Sequence, residues 1–189
     1  MIRTGLRATI LASALVLGAG SLGTPAFAAG EPMVGGAPMY PNKTVVENAS
    51  QAKNLTILVA AVKAAGLVET LSGPGPFTVF APTNAAFEKL PSGTVDKLVK
   101  PDMKDTLTKI LTYHVVAGKM TSADVAKAIK DGGGTASLKT VEGGTLVAKM
   151  DGSKLVLTDE KGGTATVEQA DVLQSNGVAH VIDTVLMPK

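Results

Sequence analysis

Cysteine is absent from the chain. That excludes a thiol nucleophile, a thiolate metal site, a disulfide framework and a lipid anchor attached through cysteine. Arginine is nearly absent as well: the only two, Arg3 and Arg7, lie at the N-terminal end. Everything after them lacks the planar fork that clamps phosphate or carboxylate in bidentate fashion. Aromatic residues make up 3% of the chain. Excess charge is missing too. Of 18 basic residues against 16 acidic ones, both arginines fall within residues 1–28, so 16 lysines balance 16 acids in the remainder. The sequence pI of about 8.8 is therefore set largely by residues 1–28. Without a basic stripe, nucleic-acid binding is not expected.

Enzyme motifs are also missing. Gly132-Gly133-Gly134 lacks the Lys-Ser/Thr ending of a phosphate-binding loop and precedes a strand pattern rather than a helix. There is no Gly-x-Ser-x-Gly elbow and no close pair of acids in an apolar run. The only histidines, His114 and His180, each sit in an apolar pattern, where a ring bonded to backbone groups is the ordinary reading. Two histidines without neighbouring acids do not make a metal site. Met33 and Met39 are soft ligands in principle, but two thioethers are too few to predict a copper site. No cofactor, no metal and no enzyme activity are expected.

What is present is ordered from end to end. Arg3 and Arg7, the apolar run Ile10–Leu17 and the small-x-small triplet Ala26-Phe27-Ala28 read as a signal peptide over residues 1–28, cleaved near Ala28. The product is expected to be secreted or periplasmic, with no membrane span. Residues 29–43, rich in glycine and proline, read as a flexible lead-in. One domain of about 145 residues is predicted over 44–188.

Within it, Leu55, Leu58, Val59 and Val62 recur at helical spacing, with Asn54 as candidate N-cap and Gly66 as stop. Gly73-Pro74-Gly75-Pro76 turns into Phe77–Phe80, a strand that Pro82 closes and that passes at once into a helix capped by Thr83 or Asn84. Helices are predicted over Ser92–Lys100 and Asp102–His114, the second with Leu107, Ile110, Leu111 and His114 on one face. Val115-Val116 begins a strand, and a short helix follows, capped by Thr121 or Ser122, with Val125 and Ile129 inward. Beyond Gly134 the pattern changes to short alternating runs separated by glycine pairs. Asp151-Gly152 is predicted as the central pair of a hairpin turn. Helices first and an antiparallel meander later indicate α+β.

Three stretches together carry a family resemblance. They are Thr78–Phe87, Leu111–Val116 with Tyr113-His114 at its centre, and Asn176–Pro188. In order and spacing they are similar to the signatures of the fasciclin (FAS1) domain, and the small exported bacterial members are the most similar. The resemblance spans about Thr44 to Pro188. It implies a wedge-shaped β-sandwich with helices packed on one side, in which Thr78, Val79, Phe80, Pro82, Asn176, Gly177 and His180 are structural and His114 is largely so. It also implies adhesion through protein contacts. In animal members such contacts involve the Tyr-His region and an Asp-Ile pair before the last motif. Tyr113 and His114 match the first; Asp171-Val172 stands at the second, with valine for isoleucine. Tyr113, His114, Asp171 and Val172 are thus the candidate binding residues. The implied partner is a cell-surface or matrix protein or polysaccharide, met by a monomer or weak oligomer. The alternative is a carrier of an apolar small molecule such as a carotenoid.

Overall fold

The computed structural model describes residues 31–189; the signal-peptide assignment lies outside them. A two-stranded hairpin, β1 (Met33–Val34) and β2 (Ala37–Pro38), precedes three helices, α1 (Val45–Ala49), α2 (Thr56–Ala65) and α3 (Val68–Ser72). Strand β3 (Phe77–Pro82) runs into α4 (Asn84–Glu88). Helices α5 (Thr94–Leu98) and α6 (Lys104–Tyr113) lead to β4 (Val115–Ala117). Helix α7 (Ser122–Asp131) is followed by β5 (Thr135–Lys139), β6 (Thr145–Asp151), β7 (Lys154–Thr158), β8 (Thr164–Gln174) and β9 (Gly177–Ile182).

Seven strands form one mixed sheet in the order β4-β3-β9-β8-β7-β6-β5. The strands after α7 make the predicted antiparallel meander. One pairing has no local signal: β3 lies parallel to β9, from Phe77 opposite Gly177 to Pro82 opposite Ile182. It brings the first and third sequence signatures side by side. Every residue of β9 is buried, as are five of the six in β3, the pattern of strands covered on both faces. The sheet then curls until its edges meet. Val116 bridges Thr140, and Val141 N–H donates to the Val115 carbonyl at 2.7 Å.

Strand β8 makes the curl possible. Its first part pairs with β7 and its second with β9, and the register slips between Val167 and Gln169 and again between Gln169 and Val172. Such bulges bend a strand and deepen its twist. The bend divides the apolar interior in two. One cluster lies between the sheet and helices α1–α6, with Leu58, Val79, Leu107, Ile110, Leu111 and Val172. The other lies inside the curl and includes Phe80, Tyr113, Leu146, Leu157, Ile182 and Leu186. Helix α7 joins the second cluster through Val125 and Ile129, each burial contributing about 1.5–3 kcal/mol.

Some local expectations shift. The lead-in is not loose where it is described: Val34 and Met39 of the β1–β2 segment are 2% and 1% exposed and belong to the first cluster. Asn54 does not cap α2. Asn84 does so from the start of α4, its Oδ1 accepting from Ile57 N–H at 3.1 Å, while Thr83 caps α4 itself. The β6–β7 turn is displaced by one residue. Asp151 pairs with Lys154, so Gly152 and Ser153 are central, and of these only Gly152 has positive φ, at 61°.

Candidate interaction site

Tyr113 and His114 sit where α6 ends, and the turn of the chain there sends them in different directions. Tyr113 enters the second cluster and is 0% exposed. Its hydroxyl donates to the Thr145 carbonyl at 2.9 Å and accepts from Glu160 N–H at 3.2 Å. Burial pushes its pKa up to about 12. The ring rests against Gly144, where a Cβ would come within 2.7 Å of Cε2, so a side chain there would displace it. His114 is buried against α6 and the C-terminal tail. Its Nδ1 bonds the Ile110 carbonyl at 2.8 Å and its Nε2 accepts from Leu186 N–H at 3.0 Å. That pairing requires the neutral ring with its proton on Nδ1. Burial pulls its pKa down to about 4, against the pull of the Ile110 carbonyl and Asp159.

His180, on β9, is built likewise. Nε2 bonds the Met120 carbonyl at 2.9 Å, Nδ1 accepts from Asp171 N–H at 3.3 Å, and the ring stacks on Phe80 at 5.6 Å between centroids. Burial lowers its pKa. Thr78 completes the support of the same loop, donating to the Gly118 carbonyl at 2.7 Å and accepting from Met120 N–H at 2.8 Å. Asn176 ties the other end of β9 to the helices. It accepts from Val45 N–H at 3.1 Å and donates to the carbonyls of Leu71 at 2.7 Å and Gly73 at 3.1 Å. At Gly177 a Cβ would run into the Phe77 carbonyl, which the parallel pairing places alongside.

Asp171 occupies the bend of β8 with φ of 58°, the only positive value outside glycine among the described residues. Asp tolerates this region better than most side chains. The conformation aims its carboxylate at the start of α7, where it accepts from Ser122 N–H at 2.6 Å and from the Ser122 hydroxyl. Beside it, Thr121 and Asp124 form a capping box.

The four candidate binding residues are therefore not one patch. Tyr113 and Val172 lie in different clusters. Tyr113, His114 and Val172 are 0%, 2% and 1% exposed, so a partner reaches none of them directly in this conformation. Asp171 is half-buried, and the Ser122 it bonds lines a cleft of about 700 Å³ between α7 and the strands β7 and β8. Sequence reading missed this cleft. Its one local signal is the loss of two-residue alternation across Glu168–Asp171, where β8 bends. Met33 is 54% exposed, whereas Met39 is core. Among the described residues no group of three or more His, Asp or Glu side chains could hold a metal, and no helix is long and apolar enough to cross a membrane.

Known proteins share this architecture. The family model for the fasciclin domain matches residues 53–188. Protein sll1483 of Synechocystis sp. is 53% identical over 145 residues, covering 77% of this chain and 73% of that protein. The cell surface glycolipoprotein MPB83 of Mycobacterium bovis is 41% identical over 122 residues, covering 65% of this chain and 48% of its own length. Among solved structures, the FAS1 domain pair of the insect cell adhesion molecule Fasciclin I superposes with a TM-score of 0.68 at 22% identity, covering 77% of this chain and 51% of that one; this match speaks for the fold. The chain belongs to the fasciclin domain family, whose members are non-enzymatic and linked to adhesion and extracellular interaction.

Proposed function

We propose that this chain is an exported adhesion or interaction domain, secreted or periplasmic after loss of residues 1–28, that contacts a protein or polysaccharide of a cell surface or matrix. The observation that carries the reading is how the polar signature residues are used. Tyr113, His114, Asn176 and His180 all bond backbone groups of the fold itself. They are committed to holding surfaces, and a contact module needs surfaces rather than a free acid–base pair. The name of MPB83 places that relative at a cell surface, in keeping with export. A strain lacking the gene is expected to lose adherence and aggregation, and a plasmid copy to restore both. Wild-type adherence in the deletion strain overturns the reading.

The carrier alternative finds little room in the helical half. Two apolar cavities in the helical half, one lined by Val46, Val62 and His114 and the other by Val34, Met39 and Val172, measure about 30 and 20 Å³. Sites for small molecules are typically about 300–1,000 Å³. Protein recovered from its native host should be colourless and free of apolar ligand.

A further inference from the structure

Helix α7 turns two faces in different directions. Val125 and Ile129 point into the second cluster and are buried. Ala123, Ala126, Lys127 and Lys130 recur at i, i+3, i+4 and i+7, so they share a second stripe. None of these four is buried. Beside that stripe lies a groove of about 690 Å³. Ala123, Ala126, Met150 and the edge of Ile129 form its apolar floor, and Lys127 and Lys130 stand at its rim. At the Ala123 end it runs on into the cleft of about 700 Å³, where Leu155 and Val167 continue the apolar surface.

Two features select the occupant. The first is the floor, which carries methyl groups and a thioether and no hydroxyl. Met150 is 41% exposed, and its flexible side chain fits irregular apolar shapes. The second is the charge at the rim, which is all of one sign. No acidic side chain lines the groove. Lys130 forms no ion pair among the described residues. Lys127 pairs with Asp131 at 2.8 Å, but the two side chains are 77% and 65% exposed. An exposed pair of that kind is weak enough to exchange for another anion. The acids Glu168 and Asp183 stand farther along, in the cleft, together with Lys154. An apolar floor with two cations at one end and no anion beside them complements an alkyl chain that ends in a negative charge.

We propose that this groove docks a single-chain anionic amphiphile, a free long-chain carboxylate. Its head group meets Lys127 and Lys130, and its chain lies over Ala126 and Met150 toward Leu155. The lysine stems, themselves apolar, flank the first methylenes. The groove is open along one side, so its occupant exchanges with solvent and is not held through purification. The inference goes beyond the adhesion reading and does not depend on it.

The test titrates the ¹⁵N-labelled chain with octanoate, decanoate and dodecanoate, each below its micelle concentration. The amides of Ala123–Lys130 and Met150 should shift. Affinity should rise about two- to fourfold per added methylene, the gain from burying a CH₂ in part or in whole. Dodecyltrimethylammonium, with the same chain and the opposite charge, should bind about tenfold more weakly. The Lys127→Gln, Lys130→Gln double variant should bring dodecanoate down to the affinity of neutral dodecyl maltoside. Its melting temperature should be unchanged, since both lysines are exposed. Met150→Ser should flatten the gain per methylene and keep the preference for the anionic head. The proposal is overturned if dodecanoate leaves these amides unmoved, or if the ammonium compound binds equally well. It is equally overturned if the shifts fall instead around Val46 and Val62, which line the small cavity of the helical half. Phosphatidylglycerol vesicles that sediment the chain while free dodecanoate does nothing would make this face a membrane contact, and would overturn it too. Adherence of the deletion strain decides the adhesion reading, whatever these titrations give.

Discussion

His114 and His180 are the chain's two histidines, and each gives both ring nitrogens to the backbone. Their partners differ. Ile110 and Leu186, which hold His114, are 6% and 0% exposed. Met120 and Asp171, which hold His180, are half-buried residues of the loop before α7 and the bend of β8. The first site is a lock in the interior: it fixes the end of α6 to the C-terminal tail that follows β9. The second is a post at the margin: it suspends the segment that carries α7 and so sets one wall of the cleft. What separates a lock from a post is whether water can replace the histidine when it is gone.

That difference makes the strongest prediction. His114→Leu strands a buried N–H and a buried carbonyl, and should cost about 3–4 kcal/mol, since each unsatisfied buried group costs about 1–3 kcal/mol. His180→Phe keeps the stacking surface against Phe80 and leaves its former partners within reach of solvent. It should cost about 1–2 kcal/mol. Urea denaturation of both variants reads the gap directly, and equal losses would erase the distinction between interior and margin.

Acid sharpens the same contrast. The folded chain holds His114 neutral down to about pH 4, whereas the ordinary histidine value is 6.5. Between those values the unfolded chain binds the proton and the folded chain does not. The stability that neutral His114 contributes is therefore complete above about pH 6.5 and lost as pH falls toward 4, on the order of 3 kcal/mol in all. Unfolding free energy measured across that window should decline steeply for the wild type and flatten in His114→Leu. An unchanged slope in the variant would assign the acid sensitivity elsewhere. His180, whose pKa is also lowered by burial, supplies the remaining slope in that variant.

How much of this could be read from the chain follows the range of each interaction. The α6 stripe, the Thr83 and Thr121 caps, the Gly66 stop and the strand that Pro82 ends are all local, and periodicity or turn chemistry reveals them. The lock around His114 needed Leu186, and the parallel pairing of β3 with β9 joins Phe77 to Gly177. No window of neighbouring residues contains both halves of either contact. The role of Asn84 was hidden for the same reason: its residue type announces a cap, but the helix it caps begins at Thr56. Gly152 marked the β6–β7 turn, yet the pairing of Asp151 with Lys154 moved the turn centre by one residue. The cleft was least legible because it is made by an irregularity. Alternation tells where a strand runs, and β8 forms the cleft where its alternation lapses.

Asp171 offers the finest test of the post, because two of its properties can be changed separately. One is the backbone: φ of 58° suits Asp or Asn far better than a residue with only a methyl group. The other is charge: a carboxylate bonded to Ser122 at the start of α7 also meets the positive end of the helix dipole. Asp171→Asn keeps the first and removes the second, and should cost about 0.5–1 kcal/mol. Asp171→Ala removes both the side-chain bond and the backbone tolerance, and should cost about 1 kcal/mol more, in line with the loss of a cap at a strained position. The order Asp, Asn, Ala in thermal unfolding would say that the bend of β8 is held mainly by conformation and trimmed by charge. If Asn proved as damaging as Ala, charge alone would hold α7 against the bend.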